Sequence, residues 1–462
     1  MSSGSDTAYG TGTGTGTGPT VGGARADGAT VGAATGSAGT AGTAAAGAGA
    51  GEGVLPFACP AALAEPPELA GLRERGGLAR LPTAAGDRAW LVTGHADVRA
   101  LCGDPRIGKS HPDPARAPRL WEAALLGPET NHATAVADHR RWRTSLTEAF
   151  GARRVERLRP RLQASFDALL GTLLDTGPPA ELCADLARPF ALGVICDLIG
   201  IPAERRDAFA AWSDRVRRVP DPLGAADAAE RRELDRSIGE LLDRRRRAPA
   251  DDLLTELAAS ADGPDTPHAD TPHARTPHTG VLRADELPHA LSGVLLAGYE
   301  TVATRLPYGL LYLLADPAAR TALAADPGLA PAAVEEVMRL AVPGGSWMPR
   351  YARTDLEYDG NRIAAGDLVV FSFQSANRDE RVFPDAGALD LGRTPNPHLA
   401  FGHGKYFCLG AGLARLELRI AYESLFRRLP GLRLARAPED IPVDGASVTG
   451  GLRALPVTWD ST

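Results

Sequence analysis

One stretch, Phe401-Gly402-His403-Gly404-Lys405-Tyr406-Phe407-Cys408-Leu409-Gly410, sets a cysteine in a glycine-rich turn that leads directly into an amphipathic helical pattern. A cysteine so placed can serve as an anionic ligand. The helix N-terminus offers a thiolate the positive end of the dipole and the free N–H groups of Leu409 and its neighbours. Gly402 and Gly404 let the backbone turn where a Cβ would collide, and Gly410 lets a flat macrocycle or another backbone come close. The chemistry this frame suits is ligation of haem iron through sulfur, which pushes electron density toward dioxygen and favours O–O cleavage. Cys59, Cys102, Cys183 and Cys196 stand in no such frame and read as small buried hydrophobes.

A second constellation, Ala297-Gly298-Tyr299-Glu300-Thr301, falls inside an apolar run from Leu291 to Leu314 that reads as one long helix. An acid beside a hydroxyl can relay protons through water, and oxygen activation consumes protons. Taken alone, the same residues read better as a surface glutamate and a threonine bonded to the carbonyl of Ala297, four residues back. Pro307 should bend this helix, because it has no N–H for Ala303 and its ring crowds that carbonyl. Glu336 and Arg339 stand at i,i+3, and His139 and Arg143 at i,i+4, so each pair shares a helix face. By spacing alone the first is an ordinary solvated pair.

The cysteine frame, continued by Ala411-Gly412-Leu413-Ala414-Arg415-Leu416-Glu417, closely resembles the haem-binding loop of the cytochrome P-450 family. Trp90-Leu91-Val92-Thr93 through Asp104-Pro105-Arg106, Asp251-Asp252-Leu253-Leu254 and Ala376-Asn377-Arg378-Asp379 resemble bacterial members too. The match runs from about Leu55 to Trp459, most specifically after Val334. It implies haem b bound through Cys408, with Phe401, Gly402, Tyr406 and Gly410 in the binding loop and dioxygen as co-substrate. Ala297 would lie over the macrocycle, Gly298 would let oxygen and substrate approach the backbone, and Glu300 and Thr301 would carry the proton relay. His139, Arg143 and Arg350 are similar to the family's propionate ligands. The resemblance turns Glu336, Arg339 and Arg393 into a buried triad that fastens its helix to the segment before the cysteine loop. Leu295, Tyr299 and Trp347 become candidate substrate contacts, the last on the irregular stretch from Ala341 to Met348. Three positions depart from the family pattern: Tyr406 where His or Arg is usual, Gly412 where Pro is frequent, and Val302 where a second hydroxyl is common. A phenol still hydrogen-bonds, but it brings no charge.

The remaining sequence must position these residues. Apolar residues recur at helical spacing from Leu158 to Leu174, Leu182 to Leu198 and Leu234 to Leu242. Strands are fewer: Arg88 to Val92, then Tyr358 to Ile363 and Asp367 to Phe373 around a turn at Asp359-Gly360. The fold class is therefore mainly α, an α+β arrangement with a large helical body beside a small β-rich region. Residues 1–52, nearly all Gly, Ala, Thr and Ser, cannot bury enough apolar surface to offset ordering entropy and read as a disordered tail. They lack the charged start and apolar stretch of a secretory signal. Residues 53–462 form one catalytic domain, interrupted at 262–280 by a low-complexity insert with three Thr-Pro-His copies. Prolines and polar residues without other ligand types describe a surface loop better than a metal site.

A formal net charge of −7 over 462 residues argues against a nucleic-acid binder held by phosphate contacts. Five unpatterned cysteines fit a reducing cytosol, and no apolar run long enough for a membrane anchor occurs. The expectation is thus a cytoplasmic, monomeric haem-thiolate monooxygenase. It would hydroxylate or epoxidise a small organic molecule, in the tailoring of a secondary metabolite. No flavin or nicotinamide fingerprint appears, so electrons would come from a ferredoxin and an NAD(P)H-dependent ferredoxin reductase. A basic patch of Arg140, Arg141, Arg153, Arg154 and Lys405 would steer the ferredoxin. The alternatives are oxidative coupling without oxygen insertion and, in another class, a haem carrier or sensor without turnover.

Overall fold

The computed structural model describes residues 53–122, 127–216, 225–261, 280–342, 347–445 and 447–460, with 225–230 as backbone alone. The N-terminal tail, the Thr-Pro-His insert and Pro343 to Ser346 lie outside the described residues. The helices are α1 (Pro67–Glu74), α2 (His95–Gly103), α3 (Ala135–Thr147), α4 (Ala152–Thr176), α5 (Arg188–Ile199), α6 (Arg206–Val216) and α7 (Ala225–Arg247). They continue with α8 (Leu253–Ala261), α9 (Leu287–Ala315), α10 (Pro317–Ala325), α11 (Ala330–Leu340), α12 (Phe373–Ala376) and α13 (Ala411–Arg428). The strands are β1 (Leu78–Pro82), β2 (Arg88–Val92), β3 (Ile107–Gly108), β4 (Ala180–Glu181) and β5 (Trp347–Ala352). After these come β6 (Leu356–Tyr358), β7 (Asn361–Ile363), β8 (Leu368–Ser372), β9 (Arg433–Leu434) and β10 (Pro456–Thr458).

The main sheet has the order β1-β2-β8-β5-β3, with β2 and β8 parallel and the other pairs antiparallel. Its central strand β8 is buried on both faces, which is why Leu368 to Ser372 reads as a continuous apolar run. Alternate side chains feed two separate clusters. Leu91, Trp347, Tyr351, Leu368 and Val370 join one, while Trp90, Val92, Val369 and Phe371 join the other. The stretch Tyr358 to Ile363 is not one strand. Asp359 and Gly360 both take positive φ, 48° and 71°, and fold it into the tip of the β6–β7 hairpin.

The helical body forms one large core around α9, which packs on α5, α7, α10, α11 and α13. Pro307 sits inside α9, and the helix runs on to Ala315 past it. Asp252 starts α8 by accepting the Thr255 N–H at 2.9 Å and also holds Arg245 of α7.

Candidate active site

The cysteine loop is built by its own backbone. The Cys408 N–H donates to the Phe401 carbonyl at 2.8 Å, Phe407 N–H to Gly404 O at 3.0 Å, and Gly402 N–H to Leu399 O at 2.8 Å. Gly402 and Gly404 take φ of 74° and 66°, a region that costs other residues strain. A Cβ on Gly404 would also stand 3.0 Å from Gly103 Cα, so α2 presses directly on the loop. Gly410 then leads into α13. Cys408 is an exposed residue, yet protein crowds its thiol, and burial pushes its pKa up. The Gly410 N–H, Arg143 and Arg415 oppose that push without reversing it.

Helix α3 fastens the loop from outside. Arg143 donates to the Phe407 carbonyl at 2.7 Å and the His139 Nε2–H to the Lys405 carbonyl at 3.1 Å. Burial pushes the His139 pKa down to about 4, and although the Lys405 carbonyl opposes this, Lys109, Arg143 and Lys405 add to it. Three cationic side chains, Lys109, Arg143 and Lys405, thus stand near His139. Its ring centroid lies 4.6 Å from that of Tyr406. Around the same phenol stand Arg350 at 5.0 Å, Lys405 at 5.0 Å and Lys109 at 5.4 Å, measured from the charged end to the ring centroid. Burial pushes Arg350 below its ordinary value, and its guanidinium donates to the Pro349 carbonyl at 2.7 Å.

Helix α9 is mostly buried, and its exposed residues, His289, Gly293, Ala297 and Thr301, recur every fourth position as one stripe. The Thr301 hydroxyl donates to the Ala297 carbonyl at 2.7 Å. Glu300 points elsewhere: its side chain is buried and accepts from Ser213 Oγ on α6 at 2.8 Å. The acid and the hydroxyl are neighbours in sequence but lie on different faces of the helix.

The three side chains expected at the substrate, Leu295, Tyr299 and Trp347, are all buried among apolar neighbours. Leu295 and Tyr299 lie on the face of α9 opposite the open stripe, because helical period separates them from Ala297 by half a turn, and Tyr299 packs edge-on against Phe209 of α6. Trp347 opens β5 on the inner face of the sheet, 3% exposed and edge-on to Phe57, so it is a core residue. Gly298 does not open the backbone to a ligand either. A Cβ there would stand 2.5 Å from Ile195 Cδ1, so its role is close packing of α5 on α9.

Two adjacent glutamates of α11 clamp the segments flanking the loop. Glu336 takes both arms of the Arg339 fork, at 2.6 and 2.9 Å, and Arg393 Nε at 3.1 Å, while Arg339 also donates to the carbonyls of Asn377, Ala386 and Ala388. Glu335 takes the Arg415 fork at 2.6 and 2.9 Å and the His398 Nε2–H at 3.1 Å. Arg415 in turn lies over the Phe401 ring at 4.5 Å. One helix thereby holds the approach to the cysteine and the helix after it. Sequence reasoning missed Glu335, His398, Arg415, Lys109 and Ser213; the Glu335-Glu336 doublet was the available signal for the first. The proposed basic patch also shrinks. Arg141 is buried against Glu286 and Asp138, and Arg154 pairs with Glu256, which leaves Arg140 and Arg153 exposed and Lys405 half-buried.

The cytochrome P-450 family profile matches residues 328–433, which span the two clamps, the loop and α13. The chain is similar over most of its length to curated proteins. It is 36% identical to pentalenolactone synthase of Streptomyces exfoliatus, covering 88% of this chain and 98% of that one. It is likewise 36% identical to the mycinamicin IV hydroxylase/epoxidase of Micromonospora griseorubida, over 84% and 94% of the two chains. Among solved structures, the LnmA hydroxylase of the leinamycin biosynthetic pathway of Streptomyces atroolivaceus superposes with a TM-score of 0.74 at 35% identity, covering 88% and 98%. The chain belongs to the cytochrome P-450 family. Its relatives are bacterial monooxygenases, and its fold and reaction class are theirs. Among the described residues no helix is long and apolar enough to cross a membrane.

Proposed function

We propose that this chain uses haem b, held through Cys408 Sγ, to hydroxylate or epoxidise a small organic molecule in secondary-metabolite tailoring. When bound, the haem supplies activation of dioxygen by electrons delivered from outside. The residues fit such a group: an exposed cysteine, an accessible stripe on a mostly buried helix, and Arg350 among cations where burial disfavours its charge. His139, Arg143 and Arg350 would hold the propionates, with Phe401, Gly402, Tyr406 and Gly410 shaping the loop around the macrocycle. Thr301 would offer its hydroxyl to a proton on the open face of α9, and Ala297 keeps that face low. Glu300, held by Ser213, would feed protons from the protein side. Arg140, Arg153 and Lys405 would receive an acidic ferredoxin, itself reduced by an NAD(P)H-dependent reductase, in the cytoplasm.

The observation that carries this reading is the accessible Cys408 in its two-glycine loop at the head of α13. A spectral-shift screen of tailoring-type substrates, followed by product mass, tests it: gain of oxygen supports it, and loss of hydrogen alone would replace it with oxidative coupling. Thr301→Ala should keep haem and fold yet divert reducing equivalents from product to peroxide. Unchanged coupling of NADPH to product removes Thr301 from the relay.

A further inference from the structure

Position 406, where the family usually carries a basic residue in the cysteine loop, holds a phenol in this chain. Nearby positive charge comes from an unexpected place. Strand β3 pairs antiparallel with β5, Ile107 opposite Ala352 and Gly108 opposite Tyr351. Continuing that register by one residue sets Lys109 against Arg350, two like charges across a ladder, an arrangement that is destabilising unless an anion joins them. The Lys109 ammonium and the Arg350 guanidinium both lie over the Tyr406 ring, at 5.4 and 5.0 Å. Gly108 permits this approach, since a Cβ there would come within 3.1 Å of Arg353 and 3.6 Å of the Tyr406 oxygen.

Lys109 is partly exposed and stands among other cations. Burial, then repulsion by Arg350 and Arg143, push its pKa down, and Glu129 at 3.7 Å opposes this only in part. Its side chain nevertheless keeps 38% of its surface accessible, so a ligand can reach it. Glu129 is the carboxylate that stands near these cations, and it faces Lys109, Arg350 and Lys405 around one phenol.

We propose that Lys109 is a haem propionate ligand and supplies, from β3, the positive charge that position 406 lacks. This inference rests on the haem reading above. A propionate received between Lys109 and Arg350 turns their repulsion into a shared charge-assisted contact.

Haem transfer from the purified holoprotein to an excess of an apoglobin acceptor tests it without turnover. Lys109→Gln should lose haem on the order of tenfold faster or more, as expected for a hydrogen bond to a charged group. Lys109→Arg should retain it, and Tyr406→Arg introduced into the Lys109→Gln chain should restore retention. The decisive arm uses haem dimethyl ester, whose propionates carry no charge. There the parent and Lys109→Gln chains should release the group at the same rate. Equal loss of ordinary haem from both chains, or an equally accelerated loss of the ester, overturns the role of Lys109. A parent chain that takes up no haem overturns the haem reading itself.

Discussion

Glu336→Gln keeps the shape of a buried side chain and removes its charge. In the native fold both carboxylate oxygens are engaged: Oε1 accepts from Arg339, Arg393 and the Asp390 N–H, and Oε2 from Arg339 and Asn396. An amide nitrogen cannot accept, so one side of the fork would face donor against donor. The two guanidiniums would also lose the carboxylate they share, with the Arg339 side chain 0% exposed and that of Arg393 8%. Stranding a buried charge costs about 3–5 kcal/mol. That is a large part of the roughly 5–15 kcal/mol that holds a domain together. Urea unfolding at neutral pH should show a lower midpoint at unchanged slope. The double variant Glu336→Gln/Arg339→Met should lose less than the sum of its single variants, because it strands less charge. A loss below about 1 kcal/mol for Glu336→Gln, or strict additivity, would refute the view that this cluster is a buried charge balance.

Two further predictions concern pH. Although burial opposes it, His398 and Arg415 pull Glu335 down to about 2. Its folded pKa is below its unfolded one, so its contribution is present above about pH 4.5 and fades as pH falls toward 2. Glu335→Gln should therefore flatten the acid limb of the stability curve, and an unaltered limb between pH 5 and 2 would count against the clamp. Glu417 behaves in the opposite sense: burial holds its carboxyl well above the usual range, and its Oε2 has no partner among the described residues. A raised folded pKa means that stability declines as pH rises from about 4.5 through the folded value. Glu417→Gln should gain on the parent chain between pH 5 and 8 in thermal melts, and parallel curves would contradict it.

Local rules made much of this architecture legible. The run from Leu291 to Leu314 showed itself as one helix because length and apolar content leave no other element, and only its start lay further out, at Leu287. Which face of that helix is open was hidden. A helix apolar all round carries no stripe, so Leu295 and Tyr299 looked as eligible as Ala297. Glu336 and Arg339 shared a face by spacing, but Arg393 reaches them only through the chain reversal before the loop. Arg141 looked like surface charge until Glu286, from a distant helix start, came to lie on it. Lys109 was invisible for the same reason: the register of two short strands brings it to Tyr406, and no local pattern encodes a non-local register.

The most direct test of the account is the reduced, carbon-monoxide-treated absorption spectrum of Cys408→Ala beside the parent chain. Cys408 is the candidate thiolate in the loop, and loss of its sulfur removes the strong anionic ligand that gives haem-thiolate proteins their spectrum. The account predicts the thiolate-type spectrum in the parent and its absence in Cys408→Ala. A thiolate-type spectrum that survives in Cys408→Ala would contradict it.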